Sequence, residues 1–221
     1  MSSGPLSPRR HAVSRFRRWP PLFFYAEGKT ALDPAYPAVV AALKDSPLPL
    51  LDLGCGMGLL AAYLRAHGYE APILGVDADE KKIGIARQAL ADTNVRFRAG
   101  DAREFPEQSG HVVMLDVLHY FDDAAQGALL RRIAASVAPG GLALVRVTLQ
   151  EPTWRFALTR AEEWLIHQVR WIPWMGSNFP TRDEVSAPFR EAGFAVDVQP
   201  MWGRTPFNGY FFSFRRPEVI L

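Results

Sequence analysis

A glycine cluster between an apolar run and a helical pattern constrains the fold more than any other feature of this chain. Leu48–Leu53 is a short apolar run, glycines occupy positions 54, 56 and 58, and helix-forming residues continue to His67. Glycines at such a junction allow positive φ angles and let a ligand approach bare backbone. The first turn of the helix offers unpaired N–H groups to an anion or carboxylate. The segment therefore predicts a strand, a ligand-binding turn and a helix.

The same alternation of strand and helix continues along the chain. Four further segments have strand character: 73–76, 95–98, 112–115 and 142–148. Helical patterns lie at 80–91 and 124–137. Because right-handed crossovers return each strand to the same sheet, this order predicts a doubly wound, parallel α/β fold. The alternating segments 195–199 and 209–214 predict a final antiparallel hairpin.

Charge is distributed unevenly along the 221 residues. Residues 1–21 contain five arginines and no acidic residue, whereas the remainder has more acidic than basic residues. We expect residues 1–21 to form a disordered basic arm and residues 22–221 to form one domain, with a lid inserted at about 150–180. Alternatively, the arm contacts an acidic partner or a membrane surface. A mildly acidic body lacks the broad basic face of a nucleic-acid-binding protein.

Composition excludes several other classes. The apolar runs are too short to cross a bilayer. Cys55 is the only cysteine, so disulfides and cysteine-based zinc sites cannot form within one chain. The basic arm lacks the apolar core of a secretory signal. We therefore expect a cytoplasmic protein without a membrane span.

Two carboxylates follow later predicted strands. Asp77 ends the second strand, where a carboxylate can accept hydrogen bonds from both ribose hydroxyls of a bound adenosine. Asp101 follows the third strand, beside the expected adenine. The glycine spacing differs from the dinucleotide fingerprint, because Gly58 comes only two positions after Gly56 and Leu59 follows it. This spacing disfavours a nicotinamide-dependent enzyme.

Five motifs in this order resemble those of the class I S-adenosylmethionine-dependent methyltransferases. The motifs are Leu51–Gly58, Gly75–Asp77, Gly100–Ala102, Leu115–Tyr120 and Ala138–Gly141. The resemblance covers about residues 36–215. It implies a Rossmann-like, seven-stranded, mostly parallel sheet with an antiparallel last strand and an aromatic helical lid. It also implies S-adenosyl-L-methionine as the cofactor.

The resemblance implies roles for individual residues. Gly54 and Gly56 would meet the methionine part of the cofactor, Asp77 its ribose hydroxyls, Asp101 the adenine amino group and Ala102 the adenine ring. Cys55 is expected as a small filler within this site. The remaining candidates for cofactor binding are Lys29, Asp52, Ala78 and Asp116.

His119 and Tyr25 are the catalytic candidates. His119 follows the fourth strand and could act as general base for a phenol or similar acid, or it could simply pack beside the cofactor. Tyr25, together with Lys29, could fold over cofactor or substrate, or its segment could lead into a packing helix. No metal is expected, since Asp122 and Asp123 begin a helix, where acids complement the helix dipole.

Aromatic residues beyond position 150 indicate the chemical class of the methyl acceptor. A lid rich in tryptophan favours a flat or apolar small molecule, although the rings could instead seal a helical cap. The candidates for the substrate pocket are Trp154, Trp171, Trp174, Phe207 and Asn208. The fourth motif lacks the Pro-Pro-aromatic sequence of amino-methylating nucleic-acid enzymes. We therefore expect no nucleic-acid partner.

A narrower resemblance is to the methyltransferases encoded with bacterial aryl polyene pigment pathways. It rests on Phe24–Lys29, the fourth motif, Trp154–Phe156 and Trp202–Asn208. It implies methylation of a phenolic head group, either free or bound to a carrier protein. Two alternatives stay open, a non-catalytic cofactor-binding partner protein and an NAD(P)-dependent oxidoreductase. The oligomeric state is not predicted.

Overall fold

The computed structural model describes residues 6–91, 94–105, 110–158, 178–202 and 208–218. The chain divides into two compact units, Met1–Pro106 and Glu107–Leu221. No helix within the described ranges is both long and apolar enough to cross a membrane.

The first unit combines a parallel sheet with helices. Its helices are α1 (Pro8–Ser14), α2 (Pro20–Leu32), α3 (Ala35–Leu43), α4 (Leu59–Ala66) and α5 (Glu80–Ala89). Its strands are β1 (Leu50–Leu53), β2 (Ile73–Asp77) and β3 (Val95–Ala99). Strand β2 pairs in parallel with both β1 and β3. All four residues of β1 are buried, as expected for a strand covered on both faces.

The N-terminal segment corrects one prediction. Over residues 6–21, the structure has α1 and the start of α2 in place of the predicted disordered arm, whereas residues 1–5 lie outside the described residues. Ala12, Val13 and Phe16 are fully buried, and α1 packs against α4. Ser7 caps α1 through its side chain, with proline at the first helical position. The prediction was wrong because this apolar face is interspersed with arginines, which dominate the composition of the segment.

The second unit contains the remaining strands. They are β4 (His111–Leu115), β5 (Leu142–Thr148), β6 (Ala195–Pro200) and β7 (Gly209–Arg215). The second unit also contains a 3₁₀ helix (Leu118–Tyr120), α6 (Asp123–Ser136) and α7 (Arg182–Glu191), and residues 154–158 are helical too. Strand β4 runs parallel to β5, whereas β7 is antiparallel to both β5 and β6. The predicted final hairpin is therefore confirmed.

The strands follow the order β3-β2-β1-β4-β5-β7-β6 in a seven-stranded sheet. This order, with antiparallel β7, confirms the predicted α/β fold class. Residues 159–177 lie outside the described residues, so the predicted lid at about 150–180 stays a prediction. In the second unit, the Phe189 and Phe214 rings stack with centroids 3.7 Å apart, which anchors α7 on β7.

Candidate active site

The glycine cluster forms a tight turn between β1 and α4. Gly54, Gly56 and Gly58 have φ angles of 76°, 54° and 78°, a conformation that glycine adopts readily. The N–H groups of Gly54 and Cys55 both donate to the carbonyl oxygen of Val76, at 2.7 and 3.1 Å. These bonds hold the loop against the end of β2.

Gly56 and Gly58 are required for different reasons. A Cβ atom at Gly58 would lie 2.8 Å from Cζ of Phe97, so this glycine permits close packing. A Cβ atom at Gly56 would meet nothing within 4 Å. Gly56 therefore borders open space, where the loop backbone is accessible to a ligand.

Asp77 joins the loop to the start of α5. Its Oδ2 accepts a hydrogen bond from the N–H of Gly56 at 2.8 Å, and its Oδ1 accepts one from the N–H of Asp79 at 2.9 Å. Ala78, between the two aspartates, is exposed. Because an ionised carboxylate offers about four acceptor positions, Asp77 retains capacity for ligand hydroxyls.

Asp52 is the most unusual group of the first unit. It is buried in β1, and its Oδ2 has no hydrogen-bond partner among the described residues. Burial, and secondarily the nearby charge of Asp77, raises the pKa of Asp52 to about 7. Buried carboxyl oxygens are seldom left without a partner, and perturbed groups of this kind cluster at functional sites. Asp52 is therefore suited to receive a donor group from a ligand.

Cys55 lies inside the same loop but has different properties. Burial, followed by the charges of Asp52 and Asp77, raises the pKa of its thiol. Its Sγ is 2.8 Å from the position that a Cβ atom would take at Gly75. A buried thiol with a raised pKa is a poor nucleophile, so Cys55 has the character of a packing residue.

The loop after β3 places Asp101 in an ion pair with Arg103. Arg103 donates to both carboxylate oxygens, from Nε to Oδ1 at 3.0 Å and from Nη2 to Oδ2 at 2.5 Å. This hydrogen bonding lowers the pKa of Asp101. Ala102 is buried beside it. The carboxylate of Asp101, which was expected to contact adenine, is therefore bound by Arg103, a residue that the sequence analysis missed.

The two candidates on α2 have different surroundings. Lys29 Nζ lies 2.9 Å from Oδ2 of Asp33, one helical turn later. The Tyr25 side chain is on the outer face of α2, with the residue 55% exposed. The structure thus pairs Lys29 within its own helix and leaves Tyr25 facing solvent.

Asp116, at the end of β4, is held by a residue that the sequence analysis missed. Arg146 of β5 is buried and donates from Nε to Oδ1 of Asp116 at 2.8 Å, while its Nη2 binds Oδ2. The signal for Arg146 was a charge in the middle of an otherwise apolar strand. The geometry gives Asp116 a structural partner within the second unit.

His119 lies on the 3₁₀ helix that follows Asp116. Its ring contacts that of Tyr120, with centroids 4.2 Å apart, and stacks on Phe179 at 6.3 Å. The carbonyl oxygen of His119 accepts a hydrogen bond from the N–H of Asn178 at 3.3 Å. The imidazole is therefore set in an aromatic surrounding with its backbone fixed.

A buried glutamine supports this arrangement. Gln126 Nε2 donates to the carbonyl oxygens of Phe121 and Asn178, at 3.0 and 2.8 Å. Asn178 Nδ2 also donates to Phe121, at 3.1 Å. Neither amide could be singled out from the sequence, because backbone carbonyls leave no residue-type signal and Asn178 is distant in sequence from both Gln126 and Phe121.

The predicted pocket residues are not brought together by the described contacts. Trp154 is 65% exposed. Asn208 is fully buried, and its Nδ2 donates to the carbonyl oxygen of Leu149 at 3.0 Å, which is a structural role. Trp171, Trp174 and Phe207 lie outside the described residues. Among the residues that are described, no group of three or more His, Cys, Asp or Glu is arranged to hold a metal ion.

Known proteins resemble this chain at several levels. The family described as "Methyltransferase domain" matches residues 26–199. "Ubiquinone biosynthesis O-methyltransferase" of Sinorhizobium fredii is 36% identical over 149 residues, 64% of this chain and 54% of that protein. "Trans-aconitate 2-methyltransferase" of Rhizobium meliloti is 31% identical over 130 residues, 57% of this chain and 49% of that protein. This chain thus spans about half the length of these curated relatives.

A solved structure shares the fold. Magnesium protoporphyrin IX methyltransferase (ChlM) from Synechocystis PCC 6803, with bound SAH, superposes with a TM-score of 0.64 at 21% sequence identity. The similarity covers 82% of each chain. At this level of identity, the likeness establishes the fold.

Proposed function

We propose a function from the premise that the chain belongs to the class I S-adenosylmethionine-dependent methyltransferases. The chain transfers a methyl group from S-adenosyl-L-methionine to a hydroxyl group of a small aromatic molecule. The cofactor supplies an activated methyl group on a sulfonium. The protein must bind the cofactor, align the acceptor and remove the proton that the acceptor loses.

The observation that carries the proposal is the open space at Gly56 together with the partnerless Oδ2 of Asp52. The backbone is accessible where a ligand would lie, and a buried carboxyl group lacks a donor. These features fit the methionine part of the cofactor, which carries an ammonium group. Their presence beside Asp77, whose carboxylate has spare acceptor capacity, supports binding of the adenosine part as well.

We assign the cofactor-binding residues on this basis. Gly54 and Gly56 would contact the methionine part, and Asp52 would accept from its ammonium group. Asp77 would accept from the ribose hydroxyls, with Ala78 beside it. Cys55 would fill the floor of the loop. Asp101 would reach adenine only after exchanging its Arg103 contact, and Ala102 would line the ring.

His119 is the proposed general base. A phenolic hydroxyl must lose a proton when its oxygen is methylated, and the imidazole of a histidine is suited to accept it. The aromatic surrounding of His119, formed by Tyr120 and Phe179, supports an acceptor with a flat ring. The relative from Sinorhizobium fredii is named an O-methyltransferase, which agrees with an oxygen acceptor.

The proposal also covers whether the acceptor is free or attached to a carrier protein. Following the narrower resemblance, we propose a phenolic head group, free or attached to a carrier protein, as the substrate class. Tyr25 is a secondary catalytic candidate. A cytoplasmic location is part of the proposal, and it agrees with the single, buried thiol of Cys55.

The test is a product analysis. The purified chain would be incubated with S-adenosylmethionine and a panel of phenolic acids, each offered free and as a carrier thioester. Mass spectrometry is expected to find one added methyl group on at least one phenol. Binding of S-adenosylhomocysteine without methylation of any panel member would instead favour the non-catalytic alternative.

A further inference from the structure

The outward face of α2 is apolar although it lies in solvent. Phe24 and Leu32 are 71% and 57% exposed, and Pro21, Gly28 and Ala31 are exposed as well. Tyr25 lies at the edge of the same face. Residues spaced by three, four and seven or eight positions share one side of a helix. A wide apolar face of this kind is normally covered, so its exposure marks an interaction surface.

The opposite face of α2 is already used for packing. Ala26 and Thr30 are buried, and Thr30 Oγ1 donates to the carbonyl oxygen of Ala26 at 2.7 Å. Glu27 is tied to α1 through a 2.9 Å ion pair with Arg9. The helix is therefore held in a fixed orientation, and turning it would expose these buried residues instead.

Exposed arginines lie on α1 and in the turn that leads into α2. Arg17 and Arg18, in the turn leading into α2, and Arg10 on α1 are all exposed. Both acidic residues of the segment 6–33 are paired: Glu27 with Arg9, and Asp33 with Lys29 at 2.9 Å. The surface thus combines apolar side chains with cations and offers little opposing negative charge.

We propose that the outward face of α2 docks on an anionic lipid bilayer, with Phe24 and Leu32 entering the headgroup boundary and the exposed arginines facing lipid phosphates. At an anionic membrane surface, aromatic and leucine side chains enter the headgroup boundary and arginines pair with lipid phosphates. At 13 residues, α2 is too short to span the bilayer. The inference does not depend on which acceptor is methylated.

The experiment is co-sedimentation of the full chain with vesicles. Vesicles of phosphatidylcholine alone would be compared with vesicles containing phosphatidylglycerol. We expect binding to the anionic vesicles, weakened by added salt because the charge attraction is screened. Little binding to phosphatidylcholine is expected.

Variants separate the apolar and electrostatic parts. The double variant Phe24→Ser, Leu32→Ser is expected to reduce vesicle affinity about tenfold or more, because the inserted apolar area is lost. The double variant Arg17→Gln, Arg18→Gln should reduce it about fivefold per arginine. Leu158→Ser, which removes a 41% exposed apolar residue in the second unit, is the matched control and should leave binding unchanged. Circular dichroism of each variant would verify folding.

Three outcomes would overturn the inference. One is equal binding to the two vesicle types, and another is an equal loss in Leu158→Ser. The third is an absence of vesicle binding. In that case, a concentration-dependent dimer that Phe24→Ser, Leu32→Ser abolishes would assign the face to a second copy of the chain. A raised KM for the acceptor in the same variant would assign it to the acceptor.

Discussion

Asp116 and Arg146 form a two-point ion pair between the neighbouring strands β4 and β5. The N–H of Asp116 also donates to the carbonyl oxygen of Arg146, at 3.0 Å. Asp116 has a φ angle of 58°, a left-handed conformation that is uncommon for a residue with a side chain but is tolerated best by Asp and Asn. The pair therefore sets the direction in which the chain leaves β4 toward His119.

Arg146→Lys tests this arrangement. Lysine keeps the charge but loses the planar guanidinium that binds both oxygens. We expect the free energy of unfolding to fall by about 1–2 kcal/mol. We also expect kcat to fall, because the chain between β4 and His119 is no longer held in one direction. Denaturant unfolding and steady-state kinetics measure both. Arg131→Lys, at an exposed site on α6, is the control and should change stability by no more than about 0.5 kcal/mol. Unchanged kcat in Arg146→Lys would refute the positioning role.

Two buried groups, Asp52 and His111, make the free energy of unfolding depend on pH in opposite directions. The pKa of Asp52 is raised from 3.8 to about 7, so the folded state holds more protons between these values and stability falls as pH rises. His111 accepts a hydrogen bond from the N–H of Leu142 at 3.0 Å. Burial, followed by the charge of Arg215, lowers its pKa from 6.5 to about 4. The unfolded state holds more protons in that window, so this contribution rises with pH.

Single variants are expected to reveal each slope. In Asp52→Asn, the His111 contribution remains, and stability should rise by about 3 kcal/mol between pH 4 and 6.5. In His111→Gln, the Asp52 contribution remains, and stability should fall by up to about 4 kcal/mol between pH 3.8 and 7. Urea unfolding across this pH range measures both slopes. Parallel profiles in the two variants would contradict these assignments.

Cys55 is expected to be unreactive in the folded protein. Its thiol is buried and its pKa is raised, so little thiolate is available to an alkylating reagent. Iodoacetamide at pH 8 should label the chain only as fast as it unfolds, and denaturant should accelerate labelling. The single cysteine makes the mass shift unambiguous. Rapid labelling of native protein would show that the glycine loop opens.

His119→Gln tests the proposed general base. Glutamine preserves a polar side chain but cannot take up the acceptor proton, so kcat should fall by about 10²-fold or more at neutral pH. Binding of S-adenosylhomocysteine should change little. His11→Gln, at an exposed position on α1, is the control for general effects of losing a histidine. Equal kcat in His119→Gln and His11→Gln would remove His119 from the chemistry.

The loop between β1 and α4 could be predicted because its constraints are local. Positive φ angles favour glycine, and chain order places Asp77 at the neighbouring strand end. The buried face of α1 was missed because Ala12, Val13 and Phe16 provide too few apolar residues to outweigh the surrounding arginines. Arg146 could be noticed in sequence, but its partner Asp116 depends on strand pairing. Gln126 and Asn178 depend on backbone carbonyls that only folding brings near.

The open space at Gly56 is the proposed site of the cofactor. Isothermal calorimetry of S-adenosylhomocysteine would compare the wild type with Gly56→Ala and Gly68→Ala. Both glycines have positive φ angles, and a Cβ atom at either would meet nothing within 4 Å. The two variants therefore carry a similar backbone strain, on the order of 1–2 kcal/mol, but only Gly56 lies in the loop.

One S-adenosylhomocysteine is expected to bind per wild-type chain. Gly56→Ala should weaken binding about tenfold or more, because overpacking a close contact costs about 1–3 kcal/mol. Gly68→Ala should bind like the wild type. An absence of binding heat in the wild type, or equal affinity in the two variants, would show that the space at Gly56 does not receive the cofactor.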